Sequence, residues 1–159
     1  MTQRLEEDER WMQVALQEAE AAAQKGEVPV GAVVVHNGQL IAKSHNLREL
    51  NKDPLAHAEL LAIAEAAEHL DRWRLIDCTL YVTLEPCPMC AGAIVNSRLD
   101  RIVFGASDPR AGSCGSIFNI AVGSASSRCR HAGGNCEGII DSRVTYELFR
   151  RQGRKSLYG

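Results

Sequence analysis

The chain has 159 residues, 45% of them hydrophobic and 24% charged, with a net charge of −2 at neutral pH. That size and balance predict one soluble globular domain over 1–159, able to bury roughly 70% of its unfolded surface without disulfide staples. They exclude a membrane span, because no apolar run approaches the ~18 residues required. The acidic start "MTQRLEEDERW" has no apolar signal-peptide core, so a cytoplasmic protein is expected.

In chain order, a helix is predicted over about 7–25, with Trp11, Ala15, Ala19 and Ala22 on one stripe and Gly26 as its C-cap. "VPVGAVVVHNGQLIAKSH" then reads as a β-hairpin turning at Asn37-Gly38, a dipeptide that favours type I′ turns. Asp53 and Pro54 suit the start of a helix running to about Leu70. "TLYVTL" at 79–84 is a strand, "EPCPMCAGAIVNS" turns into a helix, and "RIVFGA" at 101–106 is a second strand. That order makes a crossover and predicts parallel pairing of the two strands. Beyond it, a last strand is predicted near 134–140 and a short basic helix and tail from about 142. The sum is α/β, a mixed sheet covered by helices on its faces.

The six Cys, in a compartment expected to be reducing, point to metal binding, catalysis or burial. Cys87 and Cys90 are close enough to act together, whereas Cys78, Cys114, Cys129 and Cys136 read as bystanders. At the mouth of a helix, "CPMC" can turn two thiolates toward one metal, with free backbone N–H groups stabilising their charge. Taken alone it also fits a redox dithiol or two buried cysteines. A lone His57 would be an ordinary hydrogen-bonded residue. Together with two Cys it completes three ligands of the N and S type that zinc prefers, leaving a fourth position for water. Glu59, in the first turn of the 53–70 helix, is either a carboxylate complementing the helix dipole or a proton carrier for that water. Two residues apart, His57 and Glu59 would lie on nearly opposite sides of an ideal helix.

"HAE" at 57–59 and "PCPMC" at 86–90 match the H-x-E and P-C-x-x-C signature of zinc-dependent nucleoside and nucleobase deaminases. The runs "EVPVGAVVVHNG", "DPLAHAE", "LIDCTLYVTLEPCPMCAGAIVNSR" and "RIVFGASDPRAG" further resemble the bacterial tRNA adenosine deaminases over about 10–120. The resemblance implies a cytidine-deaminase-like three-layer α/β/α fold with a five-stranded mixed sheet, a homodimer, and one Zn2+ per subunit. It implies hydrolytic deamination of adenosine to inosine at the wobble position of a tRNA anticodon stem-loop. Carried over by position, His57, Cys87 and Cys90 would bind zinc and Glu59 would shuttle protons. Asn46 would hydrogen-bond the base, Val30 would line its pocket, and Asp108 would lie beside the neighbouring nucleotide. The segment "IAVGSASSRCRHAGGNCEGII" departs from the family pattern, which bears on the fifth strand and not on the zinc site.

Residues 98–159 carry 10 basic and 5 acidic side chains, against 8 and 15 in residues 1–97. This basic half suits a polyanion: Arg150, Arg151, Arg154 and Lys155 could hold phosphates, with Phe149 as a stacking face. The same residues also fit a solvated terminal helix. Two other functions stay open. A zinc-dependent deaminase of a free base or nucleoside, of guanine or cytosine type, would share the metal site and need no polyanion surface. A zinc-stabilised binding module would close the site with a fourth protein ligand and give Glu59 no role.

Overall fold

The computed structural model describes residues 2–121. Helix α1 (Thr2–Gln24) buries Trp11, Met12, Ala15, Ala19 and Ala22, the stripe expected from the 3.6-residue period. It ends in a Schellman motif, with Gly26 at a φ of 76° and the Glu27 amide bonded to the Ala22 carbonyl at 3.0 Å. The chain then turns under the sheet, and Glu27 is left fully buried.

Strands β1 (Gly31–His36) and β2 (Gln39–His45) form the expected hairpin. Asn37 and Gly38 both have positive φ, 50° and 74°, as a type I′ turn demands. Strand β3 (Cys78–Leu84) pairs antiparallel with β1, and β4 (Arg101–Ala106) pairs parallel with β3. The sheet order is β2-β1-β3-β4, a mixed sheet of four strands among the described residues. The fifth strand, expected near 134–140, lies outside them, as do the C-terminal helix and Phe149.

Continuous apolar runs such as "AVVV" are possible because both faces are covered. Val33, Val35, Tyr81 and Val103 face α1, while Ala32, Val34, Leu80 and Val82 face α3 (Ala58–His69) and α4 (Pro88–Asn96). The cytidine-deaminase-like α/β arrangement thus has helices on both sides of one sheet. Gly31 permits the close approach of α1, since a Cβ there would strike the backbone at Ala15 and Ala19. No described helix is long and apolar enough to cross a membrane.

The structure corrects one boundary. α3 begins at Ala58, not at Asp53-Pro54, and a short helix α2 (Arg48–Asn51) precedes it. Asp53 does cap, but what it caps is a turn, its Oδ1 accepting the Leu55 amide at 2.9 Å.

Candidate active site

Two helix starts point at one place. His57 is the N-cap of α3, with extended backbone at φ −77° and ψ 147°, and Cys87 is the N-cap of α4, with Pro88 in the first turn. Because His57 stands outside the helix, the ideal-helix angle between it and Glu59 does not apply. Its Nδ1 lies 3.5 Å from Cys90 Sγ and 3.7 Å from Cys87 Sγ, and the three ligand atoms are all within 4.8 Å of one another. Zinc bonded to sulfur at about 2.3 Å and nitrogen at about 2.0 Å in a tetrahedron separates N from S by roughly 3.5 Å, so these residues fit the ion. Among the described residues the cluster has these three members. Among the described residues, three ligands would leave one coordination position of a tetrahedral ion open, as in catalytic rather than closed structural sites.

Burial and mutual contact push the neighbouring groups apart in acidity. Hydrogen bonding from the Cys90 thiol, aided by His57, pulls the Cys87 thiol down to about 4 against the effect of burial. Its partner Cys90 is pushed up by that same hydrogen bond and by burial, so the pair holds one thiolate. His57 is pushed up, chiefly by its contact with Cys87. Burial lifts the Glu59 carboxyl to about 7, where it can both take and give a proton at neutral pH.

The cavity over this cluster is lined by His57, Glu59 and Cys87 together with Val30, Asn46 and Asp108. Six positions expected from the sequence therefore meet on one wall system, and Cys90 is buried behind them. The cavity opens beyond the C-terminal ends of the parallel strands β3 and β4, the usual place for a ligand in such a sheet.

Residues 6–152 match the MafB19-like deaminase family. A tRNA-specific adenosine deaminase of Bacillus subtilis is 56% identical over 114 residues, 72% of this chain and 71% of its own length. One from Streptococcus pyogenes is 41% identical over 153 residues, 95% of this chain and 94% of its own. The chain belongs to the tRNA-specific adenosine deaminase family. Solved structures resemble this deaminase at two distances. A tRNA:A34 deaminase of A-to-I wobble editing is 43% identical with a TM-score of 0.70, covering 77% of this chain and 92% of its own. A guanine deaminase from Bacillus subtilis is 39% identical with a TM-score of 0.60, covering 62% and 64%.

Sequence reasoning missed two buried glutamates of this deaminase. Glu27 accepts the Glu49 and Leu50 amides at 3.2 and 2.7 Å and the Asn46 amide nitrogen at 3.4 Å, fixing the segment that carries Asn46. Across the cavity, Glu85 holds the loop that carries Asp108. In the sequence both look like ordinary surface glutamates. The one available signal was that Glu85 sits between a buried strand and the Pro-Cys of the metal motif.

Proposed function

We propose that this deaminase hydrolyses adenosine to inosine at the wobble position of a tRNA anticodon loop, releasing ammonia. The observation that carries the reading is the three-ligand His57, Cys87 and Cys90 cluster. It opens into the same cavity as a desolvated Glu59. The solved tRNA:A34 deaminase is nearer to this chain than the Bacillus subtilis guanine deaminase, at 43% identity and a TM-score of 0.70 against 39% and 0.60; this favours tRNA over a free base.

His57, Cys87 and Cys90 would hold one Zn2+ per subunit. Bound zinc lowers the pKa of a water from 15.7 to about 7 and so supplies a nucleophile at neutral pH. Glu59 accepts the proton of the attacking water, delivers it to adenine N1, and then carries the proton of the new C6 hydroxyl to the amine, so that the C6–N bond breaks, ammonia leaves and C6 becomes a carbonyl. Asn46, its amide nitrogen turned toward Glu27, presents its oxygen as an acceptor for the base. Val30 packs against the ring, and Asp108 lies toward the neighbouring nucleotide. An unpaired anticodon-loop base is extruded at little cost, which suits a cavity that takes one base. Phe149 and the basic residues after it would hold the RNA backbone. A homodimer in the cytoplasm completes the reading, and exposed Leu50 and Leu55 offer apolar surface for the second subunit.

The test offers the purified protein a tRNA with adenosine at the wobble position, beside free adenosine, cytidine and guanine. Inosine in the tRNA alone is the expected result. Turnover of only a free base would transfer the site to the nucleobase branch of the superfamily.

A further inference from the structure

Glu85 follows β3 and is 2% exposed, yet among the described residues no cation is paired with it. Among the described residues, every hydrogen-bond partner of its carboxylate is a donor from one loop. Its Oε2 accepts the Asp108 amide at 3.0 Å and the Ser116 hydroxyl, and its Oε1 accepts the Cys114 and Ser116 amides at 2.9 and 3.1 Å. The loop is also folded tightly onto the carboxylate, since a Cβ at Gly112 would collide with it. Within the loop, Asp108 Oδ1 accepts the Arg110 and Ala111 amides at 2.9 and 3.3 Å, so a carboxylate that fixes Asp108 also fixes Ala111. Both of these residues, and Glu85 itself, line the cavity.

We propose that Glu85 is a positioning residue for substrate: its buried carboxylate pins the 108–116 loop so that Asp108 and Ala111 form a rigid wall beside the base. The proposal rests on the deaminase reading of the cavity. Glu85 takes no part in proton transfer; it sets the shape into which a base must fit. A carboxylate is required because both oxygens must accept. An amide of the same size presents an N–H2 group to one pair of donors whichever way it is turned, so one side of the anchor is lost in either orientation.

Glu85→Gln tests this with two readouts. Hydrogen exchange at the Asp108, Cys114 and Ser116 amides should quicken about tenfold on at least one side of the anchor, with protection elsewhere unchanged. With wobble-adenosine tRNA, KM should rise about tenfold while kcat at saturation and metal content stay within about twofold, since Glu59 and the ligands are untouched. Parent-like exchange and KM would overturn the proposal. So would a loss of metal and kcat with KM unchanged, which would make Glu85 a support for the metal site. Should the Gln variant not accumulate, Gly112→Ala pushes the loop off the same carboxylate. It should show the same KM rise and lost protection at Asp108, and parent-like values there count against the anchor. If the parent leaves the tRNA unreacted, the functional reading falls, whereas the exchange rates still decide whether Glu85 holds the loop.

Discussion

Each face of the sheet buries charged groups, and the two faces treat them in opposite ways. Under α1, Asp8 accepts hydrogen bonds from Tyr81 Oη at 2.9 Å and from Arg101 Nη1 at 2.6 Å, and its second oxygen accepts Arg101 Nη2. That cluster is closed: donors meet acceptors, opposite charges meet, and only Arg101 Nε is left without a hydrogen-bond partner. Over α3 and α4, His57 and Cys87 favour each other's charged forms, but Glu59 and Cys90 are crowded beside them with no cation of their own among the described residues, and the acidities of the four are driven apart. Buried charge that is satisfied locally supports the architecture. Buried charge that is left in tension, at the wall of a cavity, is available for chemistry.

Substitutions on the two faces should therefore separate activity from stability. Glu59→Gln should lose the ~10²- to 10⁴-fold contribution of a proton carrier while keeping metal and fold. Single-turnover deamination and metal analysis check it, and wild-type turnover would remove Glu59 from the mechanism. Asp8→Ala should do the reverse. It strands Arg101 in the interior, costing about 3–5 kcal/mol in chemical denaturation, with turnover per folded molecule unchanged.

The pH dependence of the metal-free protein sharpens the contrast. Burial raises the Glu59 carboxyl from its ordinary 4.5 to about 7. A raised acid costs nothing below pH 4.5, where both states are protonated, and its cost grows until the folded group ionises near 7. Glu59→Gln, measured in chelator, should melt close to the parent at pH 4. It should melt above it at pH 8, by an amount on the order of 3 kcal/mol. Equal melting at both values would place Glu59 in a wetter site. The smallest effect is expected at Tyr81→Phe, which removes one hydrogen bond to Asp8 and should cost about 1 kcal/mol with no change in activity.

The hairpin, the β3-α4-β4 crossover and the α1 stripe were legible because each rests on local period and turn chemistry. The start of α3 was misplaced because Asp-Pro serves turns and helix starts alike, and only the tertiary position of His57 decides between them. The clustering of His57, Cys87 and Cys90 was readable from two short motifs. Glu27 and Glu85 were not, because a buried anion is recognised by the donors around it, and those donors lie 19 to 31 residues away in sequence.

His57 and Cys87 occupy the positions where a Ser, Thr or Asp would ordinarily tie off the first turn of a helix, and neither side chain does so. Helices α3 and α4 therefore begin without a side-chain cap, each forgoing about 1 kcal/mol of end stabilisation. An ion held between them would act as a shared buckle for both ends. Its arrival should be felt as simultaneous tightening of two first turns that are 30 residues apart in sequence.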